Sequence, residues 1–83
     1  MKQRGRPSQA ALIETLIKVR KTAGLSQPAL AKRLQRPQSY ITKIEKGRIA
    51  KIGAYEVCEW AEACGQDEIT VFSMWLIRRA RGP

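Results

Sequence analysis

Short breaks divide the chain into five segments in which apolar residues recur at helical spacing. The breaks contain Gly24, Pro37, Gly47 and Gly65. Glycine just after the last periodic residue, or proline near the first, usually marks the end of a helix. The spacing therefore predicts helices over residues 8–23, 27–34, 38–46, 54–64 and 68–80. No segment keeps the alternation of a strand for long, so the predicted fold class is all-α.

A chain of 83 residues is expected to form one small domain with a single core. We assign the domain to residues 8–80, a basic flexible N-terminal arm to residues 1–7 and a short C-terminal tail to residues 81–83. No apolar run approaches the roughly 20 residues needed to cross a bilayer. The basic start also lacks the apolar stretch of a signal peptide. We therefore expect no membrane partner.

Cysteine usage and the missing histidine bear on metals and catalysis. Cys58 and Cys64 are the only thiols, and no histidine is present. A structural zinc site usually takes four such ligands, so we expect no metal, and we interpret both cysteines as free thiols in a reducing cytosol. Glu56, Glu59 and Glu62 recur every three residues, as on a solvated helix face. With no paired-carboxylate motif and no glycine-rich phosphate loop, we expect no cofactor, no small-molecule ligand and no enzymatic activity.

Charge is distributed unevenly along the chain. The net charge is +9 and the pI is about 10.3. Residues 15–55 hold ten lysines or arginines and a single acid, Glu45, whereas residues 56–68 hold five acids and no base. A protein that was merely soluble would mix the two signs. The pattern indicates that one region binds a polyanion such as nucleic acid.

The segment from residue 25 to residue 47 contains two short predicted helices joined by a turn. Leu30, Ala31 and Leu34 form the inner face of the first helix, and Ile41 and Ile44 form that of the second. This pattern resembles the helix-turn-helix of the lambda repressor and Cro family, in the segments GLSQPALAKRL, RPQSYITKIEKG and YEVCEWAEACG. The resemblance covers about residues 12–76. It implies a compact five-helix, lambda-repressor-like domain that binds double-stranded DNA.

The turn itself departs from the family pattern at three positions. Gln35 and Arg36 stand where the family usually has glycine followed by an apolar residue, and Pro37 replaces the usual serine or threonine cap. The family tolerates such variants, so the expected fold is unchanged.

The resemblance implies that residues 38–46 form a recognition helix in the major groove, where each base pair shows a distinct pattern of donors and acceptors. With Ile41 and Ile44 inward, the outward positions include four expected base-reading residues: Gln38, Ser39, Thr42 and Lys43. A glutamine amide can pair with adenine, and a lysine can donate to guanine O6 and N7. The alternative is a solvated helix face.

Other residues are expected to hold the phosphate backbone, which fixes register without reading sequence. By resemblance, Gln27 contacts a phosphate at the start of the second helix. Lys46, Arg48 and Lys51 follow the recognition helix and have the charge for the same task. For each of these three, a solvated side chain is the alternative. Tyr40 is open between a hydroxyl contact to phosphate and packing at the domain edge.

The N-terminal RGRP segment resembles the core of an AT-hook, an extended segment that places arginines in a narrow minor groove. Such grooves concentrate negative potential, which attracts Arg4 and Arg6. A non-specific tail that seeks phosphate is the alternative interpretation.

Two charged residues lie on the inner faces of their predicted helices. Arg20 continues the apolar stripe of the first helix, and Glu45 lies one turn beyond Ile41 on the third. We expect them to form a partly buried ion pair, as is seen in the family.

The last predicted helix is apolar on more than one side. We expect it to form a homodimer interface through Phe72, Met74, Trp75 and Ile77, because helices 1 to 4 can cover only one side of it. The alternative is a core that absorbs the whole helix. A dimer would set two recognition helices about 34 Å apart, to match a palindromic operator.

Together these features predict a sequence-specific transcriptional regulator, with a repressor-like fold and a cytoplasmic, nucleoid-associated location. A controller protein of a restriction-modification system is a related interpretation. An antitoxin with a protein partner and an architectural binder of A·T-rich DNA led by the RGRP arm are alternatives from other classes.

Overall fold

The computed structural model describes the backbone of residues 5–81 and the side chains of residues 9–81. Within this range the chain forms five helices and no strand. They are α1 (Gly5–Thr22), α2 (Gln27–Leu34), α3 (Gln38–Glu45), α4 (Ala54–Ala63) and α5 (Glu68–Arg81). The all-α five-helix prediction is confirmed, and apart from the start of α1 every predicted helix end lies within one residue of the observed one. No helix in the described range is long and apolar enough to span a membrane.

All five helices contribute to one core. Its centre is Trp60, whose ring is buried and whose indole Nε1 donates to the carbonyl oxygen of Leu16 at 3.0 Å. Burial of large side chains of this kind stabilises a fold by about 1.5–3 kcal/mol each. The other large side chains that are fully buried are Leu16, Val19, Leu30, Ile41, Ile44, Val57, Val71 and Thr15. Helix α1 packs against α3, α4 and α5, and α2 packs against α3 and α4, so α1 braces the pair α2–α3 from behind.

The turn between α2 and α3 is tight because Gln35 adopts the left-handed conformation, with φ of 57°. In this conformation the backbone N–H groups of Gln35 and Arg36 donate to the carbonyl oxygens of Lys32 and Ala31, which ends α2. Ala31 is buried where the two helices cross. Gln35 thus takes the conformation that glycine adopts most easily, at a cost of about 1–2 kcal/mol for a residue with a Cβ.

The N-terminal boundary differs from the prediction. Helix α1 begins at Gly5, three residues before the expected start, so residues 5–7 are helical and do not form part of an extended arm. Pro7 permits this, because a proline in the first turn removes only an N–H that has no helical partner. Arg4 and the side chain of Arg6 lie outside the described residues, as do residues 82–83 of the predicted tail.

The predicted dimer residues on α5 mostly face the protein's own core. Val71 is fully buried, and the helical period then turns Phe72, Met74 and Trp75 to the sides of the core, where they are partly buried. Of the four predicted residues only Ile77 is largely exposed, at 55%. The opposite face instead carries Ile69 and Leu76, which are 71% and 47% exposed, together with Ile77. The exposed apolar stripe of α5 is therefore Ile69, Leu76 and Ile77.

Candidate nucleic-acid interface

The outward face of α3 is polar and carries no carboxylate. Ile41 and Ile44 are buried, and this fixes the rotation of the helix so that Gln38, Ser39 and Lys43 are exposed. Thr42 lies half-buried at the edge of the same face. The structure thus brings all four predicted base-reading residues onto one surface.

A buried ion pair lies directly behind this face. The Arg20 Nε atom donates to Glu45 Oε2 at 2.6 Å, and Arg20 Nη2 donates to Glu45 Oε1 at 3.1 Å. The two side chains are only 10% and 6% exposed. A third donor, Arg20 Nη1, bonds the carbonyl oxygen of Leu25 at 2.9 Å. One arginine of α1 therefore fixes both the end of α3 and the approach to α2.

Hydrogen bonds extend from this ion pair to the exposed surface through Gln27. The Gln27 Nε2 atom donates to Glu45 Oε1 at 2.8 Å. Gln27 Oε1 accepts hydrogen bonds from the Thr42 hydroxyl at 3.0 Å and from Gln38 Nε2 at 3.3 Å. Two of the predicted base-reading side chains are therefore held by the residue that was predicted to contact phosphate. One Gln27 amide hydrogen is still available for a phosphate.

Tyr40 lies on the opposite flank of α3, against α4. Its ring packs on the core, and the Arg36 guanidinium stacks on the ring 4.7 Å from its centroid. Arg36 Nη2 also bonds Glu59 Oε1 at 3.2 Å. Burial raises the pKa of the Tyr40 hydroxyl; the Arg36 guanidinium opposes this rise, and Glu56 and Glu59 add to it. This position favours the packing interpretation of Tyr40.

The loop after α3 carries three exposed cations. Gly47 ends α3 with a φ of 70°, and the chain then presents Lys46, Arg48 and Lys51 to solvent. Gln9 of α1 holds this loop, because its Nε2 atom donates to the carbonyl oxygens of Ile49 at 3.0 Å and Ala50 at 3.3 Å. Sequence reasoning missed Gln9, since its partners are backbone atoms forty residues away and leave no local signal.

The glutamates of α4 and the two cysteines do not belong to the polar face of α3. Glu56, Glu59 and Glu62 belong to α4, and in the described part of the chain no three histidine, cysteine or acidic side chains are grouped as metal ligands. Cys58 and Cys64 are free thiols, and burial raises the pKa of the Cys64 thiol.

This arrangement, a short helix with an exposed polar face packed across a second helix and flanked by a cationic loop, is that of a helix-turn-helix DNA-binding domain. The model of a family described as "Helix-turn-helix domain" matches residues 5–71. An XRE-family like protein from Pseudomonas syringae pv. tomato str. DC3000 is 30% identical, covers 84% of each chain and superimposes with a TM-score of 0.77. The chain therefore belongs to the XRE-like helix-turn-helix family of DNA-binding regulators.

A second solved structure is similar in fold. It is a mutant of the restriction-modification controller protein C.Esp1396I, which is 18% identical and has a TM-score of 0.80 over 88% of this chain and 96% of that chain. At this identity the likeness shows the fold alone. No curated protein matches the sequence significantly.

Proposed function

We propose that this protein is a sequence-specific transcriptional regulator that binds a palindromic operator as a homodimer, with α3 in the major groove. The proposal rests on the chemical composition of the α3 surface. The outer side chains of this helix offer one amide, two hydroxyls and a cation, and its one acid, Glu45, is turned inward and paired with Arg20. A carboxylate on the outer face would repel DNA phosphates, whereas this face has only groups that base edges and phosphates can bind.

Within this face the side chains divide by chemistry. Gln38 uses one amide hydrogen on Gln27, and so keeps one N–H and its carbonyl oxygen for a bidentate contact with adenine N7 and N6. Lys43 is exposed and suits guanine O6 and N7. Ser39 is short and exposed, so it permits close approach of the helix to the bases.

Phosphate binding is assigned to the flanks. Lys46, Arg48 and Lys51 are exposed on the loop beside α3, and Gln27 stands at the start of α2, where unpaired helix N–H groups favour an anion. The contact of Gln9 with this loop also places the start of α1 beside the cations. With Arg6 in the first turn of α1, an N-terminal arm that bears Arg4 would therefore begin close to the DNA.

The homodimer is assigned to the stripe Ile69, Leu76 and Ile77. Three exposed apolar side chains on one short helix are a candidate contact surface. Helix α5 is acidic at its start, with Glu68, and basic at its end, with Arg78, Arg79 and Arg81. Antiparallel packing of two α5 helices about a two-fold axis would bring opposite charges together while it buries the stripe.

Selection of bound sites from random duplexes tests the proposal. The expected product is an inverted repeat whose half-sites are centred about one helical turn apart. The affinity for the selected site should fall by orders of magnitude between about 50 and 200 mM salt, because several phosphates per half-site release counterions.

A failure to enrich any sequence, or an affinity insensitive to salt, would contradict the function. The dimer has its own test: sedimentation of the wild type at micromolar concentration should show a dimer, and Leu76→Lys should give the 9.4 kDa monomer. Thr22→Lys, at an exposed position outside the stripe, serves as the matched control. A wild type that stays monomeric both free and on its selected site would contradict the assignment of the stripe.

A further inference from the structure

The ion pair behind α3 determines which way the Gln27 amide points. The Glu45 carboxylate, paired with Arg20, can only accept hydrogen bonds, so the Gln27 group that lies 2.8 Å from Glu45 Oε1 is the NH₂ group. A reversed amide would place oxygen against oxygen. Gln27 Oε1 must therefore face Thr42 and Gln38.

This orientation fixes the hydroxyl hydrogen of Thr42. The Thr42 Oγ1 atom lies 3.0 Å from Gln27 Oε1, and a carbonyl oxygen has no hydrogen to donate. The single hydroxyl hydrogen of Thr42 thus lies on this bond. What the hydroxyl offers to a ligand is its lone pairs. Ser39 differs, because its hydroxyl is exposed and can rotate to donate or accept.

We infer that Thr42 determines specificity by acting only as a hydrogen-bond acceptor, and that it selects an exocyclic amino group, adenine N6 or cytosine N4, at one base position of the operator. These amino groups are the only donors on the major-groove edges, where guanine N7 and O6 and thymine O4 are acceptors. An acceptor base atom opposite Thr42 would lose a hydrogen bond and meet a lone pair. The inference rests on the proposed function and specifies the chemistry of the same surface.

The experiment begins with the operator selected by the wild type. Thr42→Val, which keeps the shape and removes the hydroxyl, identifies the base position whose preference changes. At that position the amino group is then deleted from the DNA, with purine in place of adenine or 2-pyrimidinone in place of cytosine. The analogue should reduce the affinity of the wild-type protein for the operator roughly 3- to 10-fold, the usual range for one hydrogen bond. It should not reduce the affinity of Thr42→Val any further. Ser39→Ala, which removes a hydroxyl elsewhere on the same face, is the matched control. The analogue should reduce its affinity by the same factor as for the wild type.

Gln27→Met separately tests whether the hydrogen bond from Thr42 to Gln27 fixes the hydroxyl hydrogen. This variant removes the carbonyl oxygen that holds the Thr42 hydrogen while Glu45 keeps its pair with Arg20, and circular dichroism and thermal unfolding check that the fold is retained. The freed hydroxyl can donate, so discrimination against guanine or thymine at that position should fall roughly 3- to 10-fold.

The inference is overturned if the position identified by Thr42→Val is read through an acceptor, so that 7-deazaguanine or a thymine lacking O4 produces the loss. It is also overturned if Thr42→Val changes no position, or if a folded Gln27→Met keeps the wild-type discrimination. If the wild type selects no operator, the proposed function itself is contradicted. That failure is distinguishable from a failure of the Thr42 inference, which requires a selected operator.

Discussion

Replacing Glu45 with alanine leaves the Arg20 guanidinium buried without its carboxylate. The side chain of Arg20 is 10% exposed, and two of its three hydrogen bonds end on Glu45, so only the bond to the Leu25 carbonyl survives. Removing one partner of a buried pair typically destabilises a protein by about 3–5 kcal/mol, because the remaining charge stays desolvated. We expect a loss in this range for Glu45→Ala.

That loss is a large fraction of the total. A domain of 83 residues has an unfolding free energy of about 4–12 kcal/mol at the usual value per residue. For a domain of this size each 1 kcal/mol shifts Tm by about 4–8 °C, so Tm should fall by roughly 10–40 °C. Replacement of both charges by apolar residues, in Arg20→Met with Glu45→Leu, should recover most of the loss, because no unpaired charge remains.

Urea unfolding followed by tryptophan fluorescence measures these differences. The matched control is the exposed pair of Glu14 and Arg78, whose side chains are 63% and 39% exposed and whose Nη1–Oε1 distance is 3.2 Å. Glu14→Ala should change stability by no more than about 1 kcal/mol. A loss below about 1 kcal/mol for Glu45→Ala, equal to that of the control, would refute the reasoning from burial.

Three further outcomes are expected. Gln35→Gly should raise the unfolding free energy by about 0.5–1 kcal/mol, because glycine removes the left-handed strain but adds unfolded-state entropy. A lower unfolding free energy for the variant, measured by urea unfolding, would contradict this. Burial raises the pKa of the Cys64 thiol above its ordinary value of 9.0, so the protonated thiol contributes stability that is present below that pH and is lost as pH rises through the pKa in the folded state. Mass spectrometry after iodoacetamide treatment should show Cys58 modified first and Cys64 modified only on unfolding. Gln9→Met should speed amide exchange at residues 48–51 more than at the α4–α5 turn, where Gln66→Met is the control, and unchanged exchange in the loop would show that Gln9 does not hold it.

The helices and the ion pair could be predicted because they follow from local periodicity. Burial of Ile41 and Ile44 sets the rotation of α3, and the same period puts Glu45 on the side that faces α1. The caps are also local: Ser26 Oγ accepts from the Ala29 N–H at 3.2 Å, and Asp67 Oδ2 accepts from the Thr70 N–H at 3.3 Å.

The contacts of Gln9 and Thr42 could not be predicted in the same way. Each joins residues of different helices at distances that depend on how the helices pack, and glutamine or threonine on a helix surface has many possible partners. The sequence also could not choose the exposed face of α5, because nearly every position from 69 to 77 is apolar. Only the burial of Val71 decides that Phe72 and Trp75 turn inward and Ile69 turns outward.

Two variants measured on two duplexes test the division between reading and anchoring most directly. Affinities of Gln38→Ala and Arg48→Ala for the selected operator and for a scrambled duplex are compared across a salt series. Gln38→Ala should reduce the ratio of the two affinities by about 1–3 kcal/mol and leave the salt slope unchanged. Arg48→Ala should weaken both duplexes about equally and reduce the slope by about one. If the two variants change the ratio and the slope alike, α3 does not read the bases while its loop holds the backbone, and the account is contradicted.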